Sequence, residues 1–393
     1  MNNAWLPLFT TLSIQALVSM AVLTPPVMAP VLASAFGVST AYTGLYVAIV
    51  YAGAMLASLA AGTAVTRFGA IRVSQAGLVL CAAGLVLCAI PSIFAFALGG
   101  FLIGLGYGPV TPASSWLLAL TTPAHRMSLV FSVKQTGVPI GGMLAGAIVP
   151  SLMLAIGWQG ALIAVAVANL VCAALSQPLR VSLDADREPG RPLKLGNLAQ
   201  PIRLVLSHPA LVTLAACSFV FSTVQLALST YLVTYLNQAL AYGLVAAGLA
   251  LAVAQIGGVL GRILWGFVSD GWLGAHRTLA ALAVIMAMSS VGTAMLHANM
   301  PTLLVFGILF VFGASATGWN GVYLAEVARR APPGMAGVAT GGTLAITFLG
   351  VVLGPPVFGA LSAAFGSYRV GFTALAIPVV VCAVALLRAR PAA

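Results

Sequence analysis

Lys134 and Arg262 are the two side chains whose placement calls for a chemical explanation. Lys134 lies in FSVKQTGVPIGG (131–142), where the nearest charge before it is Arg126 and the next after it is Arg180. Arg262 lies in GRILWGFVSD (261–270), eight residues before Asp270. A charge held at mid-bilayer costs about 2.5–3.5 kcal/mol on insertion scales, so each needs a partner or a function. An ammonium offers a point charge, and a guanidinium offers a planar fork that matches a carboxylate. Only five carboxylates are available against them. Asp184, Asp186 and Glu188 share one hydrophilic stretch, Asp270 ends an apolar run, and Glu326 stands beside Arg329 and Arg330. Fixed charge within the apolar runs is therefore positive in balance, and a small anionic substrate would complete it. Two plainer readings compete: Arg262 paired with Glu326 or Asp270, and Lys134 snorkelling along its own stem to the surface.

The elements that must position these groups follow from composition. The 393 residues are 61% hydrophobic and 5% charged, against roughly a quarter charged in an average soluble protein. Twenty-one charges cannot cover a soluble globule of this size, so the chain reads as an integral membrane protein whose partner is the lipid bilayer. A helical span needs roughly 20 apolar residues. Twelve runs qualify: 6–33, 40–62, 73–92, 95–120, 127–156, 158–178, 209–237, 243–268, 277–297, 301–327, 335–364 and 370–388. The long hydrophilic stretch 179–208 separates six runs from six, which predicts an N-terminal bundle over 1–178, a linker, and a C-terminal bundle over 209–393.

The net charge of +11 would suggest a nucleic-acid binder if it were clustered on one surface. Thirteen of the sixteen basic residues instead fall in connections on one side, with Arg369 alone on the other and Lys134 and Arg262 inside spans. That bias is the positive-inside signature. It predicts a cell inner membrane protein with both termini cytoplasmic and no nucleic-acid partner. MNNAWLPLFTTLS lacks the basic start of a secretory signal and reads as the beginning of a retained first span. Cys81, Cys88, Cys172, Cys217 and Cys382 show no CxxC spacing, and the four histidines fall at span ends, so neither a disulfide framework nor a metal is expected. No GxxxxGK[ST] loop is present to cradle a nucleotide. No cofactor, no ATP drive and no enzyme chemistry are predicted.

The two halves repeat. GTAVTRFGAIR (62–72) follows the second run and GFVSDGWLGAHR (266–277) follows the eighth. Gly142 and Gly146 of the fifth run match Gly350 and Gly354 of the eleventh, and Gln15 matches Gln225, at offsets of 208 and 210. Several matches at nearly one offset indicate a duplicated six-helix unit. On these residues the chain resembles the major facilitator superfamily over essentially its whole length. The resemblance implies an all-α fold of twelve transmembrane helices in two pseudo-symmetric six-helix bundles. It also implies spans 1, 4, 7 and 10 lining a central cavity and spans 5 and 8 adjacent between the halves. Alternating access would then come from rocking one half against the other. One departure concerns the acid usual in the first G-x-x-x-D loop, which is Thr66 here, while the second loop keeps Asp270. A gating latch would therefore rely on Asp270, on Arg126 and on Glu326.

GRILWGFVSD further resembles the eighth span of the monocarboxylate transporters and the oxalate:formate antiporter, in which an arginine followed four residues later by glycine binds carboxylate. That role falls on Arg262. Those monocarboxylate transporters also carry an acid one turn before the arginine; Gly258 stands there instead, so the resemblance does not carry proton coupling by that acid over to this chain, and protons stay a candidate partner without an assigned residue. The cavity-lining spans supply Gln15, Tyr107, Gln225, Trp319, Asn320 and Tyr323, and Gln135 adjoins Lys134. The expected activity is secondary transport of a small organic anion, a monocarboxylate or aromatic acid, by a monomer. The alternative is an efflux pump for hydrophobic drugs, which would ordinarily need an intramembrane acid.

Overall fold

The computed structural model describes residues 5–122, 127–193, 199–333 and 335–388, and among these it is helical with no strand. The first part of the chain holds α1 (Trp5–Val27), α2 (Ala29–Phe36), α3 (Thr43–Phe68), α4 (Ala70–Cys88), α5 (Ile93–Tyr107), α6 (Val110–Thr121), α7 (Met127–Gln135) and α8 (Gly137–Leu175). Two short helices follow, α9 (Arg180–Leu183) and α10 (Ala199–Leu206). The second part holds α11 (Pro209–Leu240), α12 (Leu244–Val268), α13 (Gly274–Ala294), α14 (Thr302–Ala316), α15 (Asn320–Arg330), α16 (Ala336–Ala364) and α17 (Tyr368–Arg388). Among the described residues, ten helical stretches are long and apolar enough to cross a membrane. Two of them, Val133–Leu175 with 43 residues and Leu244–Ala294 with 51, have the length of two crossings each. The first is broken at Gly157 (φ 75°) and the second at Gly274 (φ 73°). The count is consistent with twelve spans.

Two compact units emerge. One comprises 1–39 and 46–196; the other comprises 40–45 and 197–393. Within the first, α1 packs on α8, α4 packs on α5, and α4 packs on α8. Within the second, α11 packs on α16, α13 on α17, and α12 on α14. The pairing of α1 with α8 and of α4 with α8 in the first unit recurs as α11 with α16 and α13 with α17 in the second. Small residues carry it, as the GxxxG spacings predict. A Cβ on Gly104 of α5 would overlap the Val50 carbonyl oxygen of α3, and one on Gly313 of α14 would overlap that of Ala254 on α12. These helices touch backbone to backbone at equivalent places in each unit. In the second unit the short segment Thr40–Leu45 is held by Tyr231, whose hydroxyl donates to the Ala41 carbonyl at 2.7 Å and accepts the Gly44 N–H at 2.8 Å.

The connection 62–72 differs from the loop expected there. The α3 helix runs on to Phe68, a single residue, Gly69 (φ 94°), turns the chain, and α4 starts at Ala70. Only a residue without a Cβ takes that conformation cheaply. Thr66 hydrogen-bonds back to Gly62 within the helix. In place of an acid at position 66, one arrives from the linker. Asp184 is 3% exposed and accepts the N–H of Ile71 at 2.8 Å and of Arg72 at 3.0 Å, capping α4 from another segment. The Glu188 N–H donates to the Thr66 carbonyl at 2.7 Å. The Trp116 indole donates to Asp186 at 3.0 Å.

These contacts tie residues 184–188 to the first unit, while α10 packs on α16 of the second. The stretch 179–208 is thus divided between the units. Burial pushes the Asp184 carboxyl above its ordinary range, and the two N–H donors and Arg180 pull it back.

This packing has measurable consequences for stability. Gly104→Val should abolish the folded, monodisperse fraction in detergent, because backbone stands where the side chain must go. Gly62→Ala, with open space around it, should leave that fraction unchanged; fluorescence-detected size exclusion reads both. Asp184→Ala should cost about 1–2 kcal/mol, as is usual for a lost cap, and lower the melting temperature. Asp184→Asn, which keeps an acceptor without a buried charge, should lose much less.

Candidate functional site

Among the described residues, the first span is interrupted at Met28 between α1 and α2, and three further interruptions lie beside candidate residues. The fourth span breaks at Gly108–Pro109 between α5 and α6, and the tenth breaks at 317–319 between α14 and α15. The fifth breaks at Thr136 between α7 and α8. A broken helix exposes backbone carbonyls at the end of one piece and N–H groups at the start of the next, which suits such breaks to ion and substrate sites.

Lys134 stands in the last turn of α7 and is fully buried, 0% exposed. It does not snorkel to a surface. Arg262, on α12 and half-buried, donates from Nε to the Thr317 carbonyl at 3.0 Å. Thr317 is the C-cap of α14. Each cation therefore lies at the C-terminal end of an interrupted helix, where the helix dipole is negative. Such a placement is worth about 0.3–1 kcal/mol, and up to about 2 in partly buried geometry. That offsets part of the insertion cost of a charge.

In the first unit Gln15 is 0% exposed; it accepts the Thr111 hydroxyl at 3.0 Å and donates to Ser19 at 3.4 Å. Gly137, just past the break beside Lys134, lies against the Gln15 stem. Gln135 and Tyr107 are half-buried, and Tyr107 meets Tyr51 edge-on at 5.7 Å. In the second unit the Gln225 carbonyl accepts the Trp319 indole N–H at 3.2 Å and the Asn320 amide at 3.4 Å. The Asn320 amide also reaches the Thr317 carbonyl at 3.4 Å. Trp319 and Tyr323, expected along the cavity, are each 1% exposed and sit in an aromatic stack with Phe221. Gln255, two turns from Arg262, turns its amide to Ser229 on α11 at 3.2 Å. Sequence reasoning does not single out Thr317 or Thr111. The one signal for Thr317 is its place before Gly318 in an otherwise apolar run.

The three gating candidates have different surroundings. Glu326 is 4% exposed and is held by Arg330 at 2.9 Å and Arg329 at 3.4 Å, with His276 at 3.8 Å. The His276 ring in turn contacts the Leu386 carbonyl. Asp270 is exposed in the π-turn Ser269–Leu273 that joins α12 to α13. Arg126 lies outside the described residues. Among the described residues no group of three or more His, Cys, Asp or Glu is placed to hold a metal ion.

Comparison with known proteins bears on this arrangement. The sequence profile of the Major Facilitator Superfamily matches residues 11–346. Human monocarboxylate transporter 11 is 30% identical over 379 residues, covering 87% of this chain and 74% of that protein. The gentisate transporter of Corynebacterium glutamicum is 25% identical over 338 residues, covering 83% of this chain and 72% of its own. Among solved structures, a bacterial homologue of the human lysosomal transporter Spinster, in an inward-facing and occupied conformation, superposes with a TM-score of 0.77 at 15% identity, covering 97% of this chain and 95% of that one. With its duplicated helical units and this profile match, the chain belongs to the Major Facilitator Superfamily and is a multi-pass membrane transporter.

Proposed function

We propose that this transporter carries a small organic anion, a monocarboxylate or an aromatic acid, by alternating access, with Lys134 and Arg262 as the cationic ligands of the carboxylate. The observation that carries the reading is the position of both cations at C-terminal ends of interrupted helices. Neutral dipoles lower the cost of a buried charge without cancelling it, so an anion gains from both sites. The names of the relatives, a monocarboxylate transporter and a gentisate transporter, point to the same class of cargo. The one-sided distribution of basic residues supports an inner-membrane location with both termini cytoplasmic.

Uptake of labelled benzoate into proteoliposomes tests the proposal. Lys134→Ala and Arg262→Ala should each reduce uptake to background while expression and melting temperature are retained. Full transport by either variant would remove that residue from the site. Arg262→Lys keeps the charge but loses the fork and the Nε contact to Thr317, and the KM for benzoate should rise about tenfold, the loss of one charge-assisted hydrogen bond.

A further inference from the structure

The Gln225 side chain has only one orientation consistent with its neighbours. An indole nitrogen donates and never accepts. The Trp319 N–H at 3.2 Å therefore requires the Gln225 oxygen, not its nitrogen, to face the ring. An amide that often has to be oriented by inference is here oriented by chemistry. Asn320 adds a second donor to the same oxygen at 3.4 Å. Trp319 is itself immobilised: Phe221 meets it edge-on at 5.6 Å and Tyr323 at 5.2 Å, and all three rings are buried. With the oxygen committed to these donors, the Gln225 nitrogen keeps its two N–H groups, on a residue that is only half-buried. Asn320 also binds the Thr317 carbonyl that holds Arg262, so the amide and the guanidinium share one framework within the second unit.

We infer that Trp319 is a positioning residue that locks the Gln225 amide as a donor-only group alongside Arg262, and so sets the preference of this transporter for a carboxylate over the matching carboxamide. A carboxylate offers acceptors alone and gains from every donor. A carboxamide brings its own N–H groups, which need an acceptor that the locked Gln225 does not present. Releasing the lock lets the amide turn over and show its oxygen, which disfavours a carboxylate and suits a carboxamide. The inference rests on the proposed anion function.

The test compares benzoate and benzamide, ligands of one shape, as competitors of labelled benzoate uptake by the full-length protein in proteoliposomes. Wild type should prefer benzoate strongly. Trp319→Phe, which keeps a ring but removes the N–H, should raise the KM for benzoate about fivefold to tenfold, as expected for misplacing one donor to a charged group. It should also narrow the benzoate-to-benzamide ratio with little change in kcat. In a Gln225→Leu background the same Trp319→Phe change should leave the ratio where Gln225→Leu alone sets it, since a residue acting through another is silent once that other is gone. Should Trp319→Phe fail to fold, Gln225→Leu alone removes the locked donor and should narrow the ratio in the same direction. An unchanged ratio in the folded single variant, or an equal shift with and without Gln225, overturns the inference while the anion reading stands. A wild type that binds benzamide as well as benzoate overturns both.

Discussion

A charge inside a bilayer has to be held by something, and here the C-terminal ends of broken helices contribute. Lys134 ends α7, and Arg262 caps α14 through the Thr317 carbonyl. These are weak stabilisers beside the cost of insertion, about 1–2 kcal/mol at best against about 2.5–3.5. A helix dipole carries no net charge, so it lowers the cost of a buried cation without neutralising it. A cation with no support at all would favour unfolding the span.

The rest of the structure serves to keep the breaks in place. An interrupted helix needs rigid neighbours, and the close contacts of Gly104 on Val50 and Gly313 on Ala254 supply them at equivalent positions in the two units. The aromatic stack of Phe221, Trp319 and Tyr323 does so next to the tenth span's break. Around it the polar groups are satisfied in a chain from Gln225 through Asn320 and Thr317 to Arg262. Local satisfaction of polar atoms is a stringent requirement where no water competes.

The segment after the sixth span shows how a duplicated fold accommodates a departure from its own repeat. The first G-x-x-x-D-type connection has Thr66 where the second has Asp270. Asp184 brings a carboxylate to that connection from another part of the chain and directs it at the first-turn N–H groups of α4, which have no acceptor within the helix. Gly69 is needed twice over there, for its positive φ and because a Cβ would overlap the Asp184 carboxyl.

The class of this chain was legible in its residues before any fold was known. Apolar runs long enough to cross a bilayer and glycines repeating at a near-constant offset are local properties, and they specify helical spans and a duplicated unit. Lys134 and Arg262 stood out for the same reason, since a lone charge in an apolar run is visible without a fold. What each polar side chain meets became apparent from the packed helices alone. Gln255 donates to Ser229, the Trp319 indole donates to Gln225, and Asp184 reaches α4. Hydrogen-bond partners depend on distances of about 3 Å between segments far apart in sequence, and periodicity along one chain carries no such information.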